Sequence, residues 1–200
     1  MEKKGKELNN TTCIVCLNLK EIKRSNLMGT KILITGGSGM IGQALSAALS
    51  QKGHQVSHLS RHPSKHTPYP SFKWDIVRGY IDPRALKVDV IIHLSGEGIA
   101  NKRWTEKQKQ KLIVSRIDAA QLLYDQVVKL KKRPTRIISA SAIGYYGSDT
   151  QEQECFEDTP AGVDFIGQFV FKWEQQVNQF EALGMQVSML RIGIVLSKAG

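Results

Sequence analysis

Three groups of residues in this chain have types and spacings that could do chemistry. The first is the run Thr35-Gly36-Gly37-Ser38-Gly39-Met40-Ile41-Gly42. It satisfies Gly-x-Gly-x-x-Gly from Gly37 and Gly-x-x-Gly-x-x-Gly from Gly36. Glycines so spaced let bare backbone approach a ligand. Where a helix starts directly after them, its free N–H groups face negative charge, and the natural occupant is a pyrophosphate. A glycine-rich turn that binds nothing would carry the same letters. The second group is Ser141, Tyr145 and Tyr146, hydroxyls near enough in sequence to hold or move a proton. The third has metal-type spacing: Cys13-x-x-Cys16, and His54, His58, His62 and His66, each four apart.

The third group fails on its surroundings. A lone CxxC lacks the further ligands a zinc site needs. Three cysteines (Cys13, Cys16 and Cys155) make no disulfide framework. The histidines would converge only on a helix, and Pro63 and Pro68 prevent one. No metal is expected.

The elements that must position the first two groups follow from periodicity. Ile32, Leu33 and Ile34 form an unbroken apolar run after Lys31, which predicts a parallel strand covered on both faces. From Met40 the period changes to that of a helix, with Ile41, Leu45, Ala48 and Leu49 on one face and Gly53 closing it. Strands are predicted over "HQVSHLS", Phe72–Trp74, Val88–Leu94, "RIISASA" from Arg136 and "QVSMLRIGIVL". Helices are predicted from Thr105 to about Lys129 and from Asp164 to Leu183, the latter closed by Gly184. This alternation predicts an α/β fold, a doubly wound parallel sheet. The glycine run falls between the first strand and first helix, where a dinucleotide sits in a Rossmann fold.

Composition sets limits. The chain has 200 residues, 41% of them hydrophobic, enough for one domain with a real core. No apolar run approaches the ~20 residues of a membrane span. The net charge of +10 suits an anionic ligand or nucleic acid. The basic stretch Asn101 to Lys111 has one aromatic, Trp104, and reads as a solvated helix face rather than a base-stacking platform. Nucleic acid is therefore not expected as a partner, nor is a membrane. Residues 1–27 hold six Lys and Arg against three Glu and lack a convincing signal-peptide core. They are expected to be a flexible extension, with Met28 a possible native start and the cytoplasm as location. Residues 28–200 are then the nucleotide-binding domain.

The residue after the second strand selects the dinucleotide. An acid there suits the free ribose of NAD, and an arginine suits the 2′-phosphate of NADP. From Gln43 to Lys73 there is no acid, and Arg61 follows Ser60 at the strand end, with Lys65 beyond. NADP(H) is the expected cofactor; the alternative is that Arg61 is only a solvated surface residue.

The glycine run, "VIIHLSGEGIANKRWT", "FKWDIVRGYID", Ser115–Arg116, "SASAIGYYG" and "LRIGIVLSKAG" together resemble the atypical epimerase-like family among the extended short-chain dehydrogenase/reductases. The similarity spans Met28 to Gly200. The resemblance implies NADP(H) over Gly36–Gly42, with Ser60 and Arg61 at the 2′-phosphate. It implies Leu94, Ser95 and Gly96 at the adenosine or its ribose, Arg116 reaching the cofactor from the long helix, and Ser141 as a substrate-polarising serine. Arg116 could instead pair with a carboxylate of the fold.

Two features depart from the family pattern. Its active members use a Tyr as proton shuttle with a Lys four residues on. Here Tyr69 and Lys73 have that spacing but lie before the third strand with Pro70 between them. The helix from Asp164 contains no Tyr, and Ile166 and Val170 stand where the pair would be. Tyr145 or Tyr146 could approach the nicotinamide instead, or the "GYYG" rings could pack on the sheet. Lys172, Trp173 and Glu174 are expected to be ordinary helix residues. Extended members also carry a substrate-binding region after the sixth strand, and the chain stops there. The expected function is an NADP(H)-dependent oxidoreductase or epimerase-type enzyme with an unknown small-molecule substrate. The alternative is a non-catalytic dinucleotide-binding scaffold acting through a protein partner.

Overall fold

The structure is a computed structural model that describes residues 29–98 and 103–196. The expectations for residues 1–27, Met28, Cys13 and Cys16 lie outside the described residues. The strands are β1 (Lys31–Thr35), β2 (Gln55–Ser60), β3 (Ser71–Asp75), β4 (Tyr80–Ile81), β5 (Val90–His93), β6 (Arg136–Ala142) and β7 (Gln186–Ile192). The α-helices are α1 (Met40–Gln51), α2 (Glu106–Ile113), α3 (Ala119–Val128) and α4 (Phe165–Asn178). The sheet order is β4-β3-β2-β1-β5-β6-β7, with every neighbouring pair parallel except β3 and β4. The fold is a Rossmann-type, doubly wound α/β sheet. The chain crosses from the β3 side of β1 to β5 on its other side. That reversal leaves a crevice beyond the carboxyl ends of β1 and β5, the usual ligand position in such sheets.

Both faces of the sheet are covered. Leu33, Leu59, Ile91 and Ile137 pack with Leu123, Val127 and Phe180 in one cluster. Ile32, Ile34, Val56 and Ile92 form another with Leu45 and Leu49 of α1. A third joins Leu112, Phe169, Val170 and Trp173 between the long helix and α4.

Some expectations need correction. The sheet is not wholly parallel: β4 is a short antiparallel edge strand, too brief to leave a periodic signal. β7 ends at Ile192, and Ile194 and Leu196 are exposed, so apolar letters after Arg191 do not continue the strand. On α1, Ile41 and Ala48 point outward and the buried positions are Gly42 and Ser46. The helix lies too close to the sheet for large side chains there. The predicted helix from Thr105 contains a π-helical turn over Val114–Asp118 between α2 and α3. α4 is capped by the Asp164 carboxylate, which accepts from Gly167 N–H at 2.8 Å. It tightens into a 3₁₀ turn over Gln179–Leu183 before Gly184, at φ +77°.

Candidate functional site

The glycine run turns sharply between β1 and α1. Gly36 has φ +72°, and a Cβ on it would lie 2.9 Å from the Leu94 carbonyl carbon. Only glycine meets both demands, and the end of β5 is thereby held against the loop. A Cβ on Gly42 would lie 2.7 Å from Gly37 Cα, so the first turn of α1 packs directly on the loop. Gly39 is the N-cap of α1, with no side chain capping the first turn and no acid within it. The free N–H groups of that turn are left for a ligand.

Beyond the loop lies a cavity of about 790 Å³. Its walls include Gly36, Gly37, Ser38 and Gly39 at one side, Ser60, Arg61 and His62 past the end of β2, and Leu94, Ser95 and Gly96 past the end of β5. Arg61 is exposed. No carboxylate is among the described residues lining this space. Met40 and Ile41 are largely exposed on α1 and do not line it. Tyr69 lines the cavity from a loop and its ring meets His58 at 4.9 Å between centroids, so its spacing to Lys73 has no helical meaning. His58 is buried beneath the loop, its Nε2 2.8 Å from Ser46 Oγ, and burial lowers its pKa. His62 and His66 are exposed loop residues, so the four histidines do not converge.

The crevice floor carries residues whose importance is not apparent from the motifs. Thr35 and His93 are register partners on β1 and β5, both fully buried. Thr35 Oγ1 accepts from Leu94 N–H and Ser95 N–H, each at 3.1 Å, and lies 2.9 Å from His93 Nδ1. Two incoming N–H groups occupy the hydroxyl's acceptor positions, so its own proton goes to Nδ1 and His93 is neutral with its proton on Nε2. Burial, reinforced by the Arg116 charge, lowers the His93 pKa to about 4.

Arg116 emerges from the π-helical turn and is only 8% exposed. Its Nη2 donates to the Glu97 backbone carbonyl at 3.0 Å, and Ser115 Oγ accepts from Glu97 N–H at 3.0 Å. The alternative of a carboxylate partner finds no ion pair among the described residues; the hydrogen bond from Nη2 goes to a backbone carbonyl. The guanidinium carbon lies 5.3 Å from the Trp173 ring centroid. Burial pulls the Arg116 pKa down to about 10.

At the far end of the sheet the hydroxyl group resolves differently from the expectation. Ser141 is 4% exposed and does not line the cavity. Its hydroxyl donates to Glu174 Oε1. Glu174 is buried, not an ordinary helix residue, and pairs with both sides of the Arg191 fork at 3.0 and 2.9 Å. Arg191 also donates to Tyr146 OH at 2.9 Å and to the Glu157 carbonyl at 3.0 Å, and Tyr146 OH donates to the Phe156 carbonyl at 2.9 Å. The Glu174 bond raises the Arg191 pKa further above its ordinary value. Tyr145 lies with its ring centroid 3.5 Å from the Arg191 guanidinium carbon, and its hydroxyl has no hydrogen-bond partner among the described residues. Glu174 and Arg191 left a faint signal, a charge at a position the surrounding apolar pattern would bury.

The NAD dependent epimerase/dehydratase family model matches residues 32–163. An epimerase family protein of Staphylococcus saprophyticus is 36% identical over 172 residues, covering 84% of this chain and 56% of the relative. A counterpart from Staphylococcus aureus shows the same figures. A nucleoside-diphosphate sugar epimerase from Corynebacterium glutamicum superposes with TM-score 0.74 at 30% identity, over 87% of this chain and 36% of that one. Human epimerase family protein SDR39U1, solved with NADPH, gives TM-score 0.69 at 28% identity, over 85% of this chain and 56% of that one. The chain therefore spans about half the length of the curated relatives it matches. No described helix is long and apolar enough to cross a membrane. The glycine cradle, the sheet order and these matches agree: the chain belongs to the NAD-dependent epimerase/dehydratase family, within the short-chain dehydrogenase/reductase superfamily of NAD(P)-binding proteins.

Proposed function

We propose that residues 28–200 are the dinucleotide-binding part of an NADP(H)-dependent oxidoreductase or epimerase-type enzyme. The observation that carries this reading is the β2 end of the cavity. Arg61 stands there beside Ser60 and His62, with no carboxylate among the described lining residues. A guanidinium in that position suits a 2′-phosphate, while an acid would be needed to hold a free 2′-hydroxyl.

The residues fit the cofactor. Gly36, Gly37, Ser38 and Gly39 with the α1 N–H groups hold the diphosphate, Gly42 permits the close packing, and Met40 and Ile41 contribute backbone. Ser60 and Arg61 hold the 2′-phosphate, and Leu94, Ser95 and Gly96 border the ribose. When bound, the dinucleotide supplies the hydride donor or acceptor. Of the two tyrosines, Tyr145 is the one free to hold or move a substrate proton, because the Tyr146 hydroxyl is already used twice. Ser141, its proton committed to Glu174, acts by fixing the carboxylate that orients Arg191 beneath Tyr145.

The test is calorimetric titration with NADPH and NADH on wild type and Arg61→Ala. The expected result is that NADPH affinity falls about tenfold or more in the variant, as for a lost charge-assisted bond, while NADH affinity does not change. Equal affinity of both proteins for NADPH overturns the assignment.

A second reading, a non-catalytic dinucleotide scaffold, is favoured by α4. Val170 is fully buried in the helix–helix cluster, and Ile166 packs against Gly144, so apolar contacts surround the two positions that the sequence reading aligns with a Tyr–Lys pair. Cofactor-dependent turnover of any carbonyl or sugar-nucleotide substrate excludes this reading. NADPH binding without turnover, together with an NADPH-sensitive pull-down partner, supports it.

A further inference from the structure

One histidine stands in an apolar layer. On the α1 side of the sheet, Ile32, Ile34, Val56 and Ile92 pack with Leu45 and Leu49. His58 follows Val56 on the same face of β2, beside Ile34 of β1, and is only 7% exposed. An aliphatic side chain would fill that place with no polar group to satisfy.

His58 is instead the floor of the glycine turn. A Cβ on Gly37 would lie 2.5 Å from the imidazole Cδ2 and Cγ and 2.6 Å from Nε2. The ring therefore lies directly under the Gly37 backbone. Its Nε2 is 2.8 Å from Ser46 Oγ, which is itself 2.6 Å from the Gly42 carbonyl oxygen. Two oxygens that close need a proton between them, so the hydroxyl donates to Gly42. Ser46 Oγ then accepts from His58, and the imidazole proton sits on Nε2. One chain of contacts joins β2, the first turn of α1 and the glycine turn.

Nδ1 is left over. It has no hydrogen-bond partner among the described residues, yet it is not one of their sealed polar atoms, and His58 lines the cavity. The groups facing the ring are few. Gly37 and Ser46 have no titratable side chain, and the register partner on β3 is Ser71. Tyr69, from the loop before β3, meets the ring at 4.9 Å between centroids. Arg61, His62 and His66 line the same cavity, and no carboxylate of the described residues does. The imidazole is therefore neutral, and burial lowers its pKa.

We propose that His58 is a positioning residue of the glycine turn whose free Nδ1 takes up a proton when an anionic diphosphate enters above Gly37. This rests on the dinucleotide reading above. The proton passes from solvent to Nδ1, and Nε2 keeps its bond to Ser46. The imidazolium adds a positive charge beneath a turn that otherwise offers backbone N–H groups. Ligand and proton favour each other, so affinity rises as pH falls.

The test is calorimetric titration of wild type and His58→Gln with 2′-phospho-ADP-ribose between pH 8 and 5.5, in buffers of differing ionisation heat. The glutamine amide can still donate to Ser46 but cannot titrate. The 2′-phosphate of the probe titrates at about pH 6 with both proteins, so their difference is what is read. Wild type is expected to gain about threefold or more in affinity relative to His58→Gln as pH falls across that range. It should also take up more protons on binding. His62→Gln and His66→Gln should keep the wild-type slope. A ratio of affinities that is constant across pH marks a merely structural histidine and overturns the proposal. So does a slope that is lost in His62→Gln or His66→Gln instead. Should His58→Gln not fold, the histidine NMR signals of wild type decide, assigned through variants of His54, His62, His66 and His93. The His58 midpoint should rise on saturation with the probe, and a fixed or falling midpoint overturns the proposal. Wild type that fails to bind the probe removes the dinucleotide reading and this proposal together. Binding that weakens in Arg61→Ala, with no slope dependent on His58, removes this proposal alone.

Discussion

The two ends of the sheet's carboxyl edge solve the same problem in opposite ways. Around β1, β2 and β5, polar groups are buried or half-buried and left incomplete among the described residues: a helix start with no side-chain cap, a neutral histidine whose Nε2 has no hydrogen-bond partner, and an arginine whose Nε has none. Around β6, β7 and α4, Ser141, Glu174, Arg191 and Tyr146 satisfy one another and tie down the carbonyls of Phe156 and Glu157. The first end is poised for something to complete it. The second is finished and acts as a frame. The difference teaches that a buried charge is not by itself a sign of function; whether its partners are already present is what separates the two cases.

The sharpest way to break the frame is Glu174→Ala. Arg191 would be left largely buried with its fork unpaired, and stability should fall by about 3–5 kcal/mol, the range for breaking a buried pair from one side. Urea unfolding measures it. A loss under ~1 kcal/mol would mean that the network is no frame.

The open end should show itself through pH. With the folded pKa of His93 near 4 and the ordinary value 6.5, the unfolded chain binds a proton that the folded chain does not between those limits. Stability is therefore full above about pH 6.5 and is lost as pH falls toward 4, by roughly 2 kcal/mol at pH 5. His58, also lowered by burial, adds in the same direction. Asp82 and Asp164, with lowered carboxylate pKa values, lose their contribution only at lower pH. His93→Asn, whose Oδ1 can still accept from Thr35, should flatten most of the slope between pH 7.5 and 5 in urea melts. An unchanged slope would show that His93 is not the group that titrates.

The smallest effect is expected at Ser141. Ser141→Ala removes one hydrogen bond from a carboxylate that keeps both bonds to Arg191, so about 1 kcal/mol is lost and NADPH binding is unchanged. A large loss of affinity would join the two ends that the comparison separates.

Much of the open end was legible as a string of letters. The glycine spacing needs only local chain geometry, and strand, turn and helix are consecutive, so the turn from Gly36 to Gly42 and the position of Arg61 just past β2 could be placed before any coordinates. Leu94 to Gly96 came with them through the family pattern. The closed end was legible only in its parts. Ser141, Glu174 and Arg191 come from β6, α4 and β7, and their pairing depends on a register that places Ser141 opposite Arg191. The apolar pattern around Glu174 marks it only faintly, and nothing local says which residue it pairs with. The same limit hid Thr35 and His93, which are far apart in the chain and adjacent on the sheet.

The sequence by itself determined the class of fold, the family and the place of the glycine turn between β1 and α1, because period, glycine conformation and short-range order are properties of neighbouring residues. Only the tertiary structure decided which buried polar groups have partners and which, among the described residues, have none. That follows from burial and from partners brought together across the sheet, where a hydrogen bond depends on distance in space and not on separation along the chain.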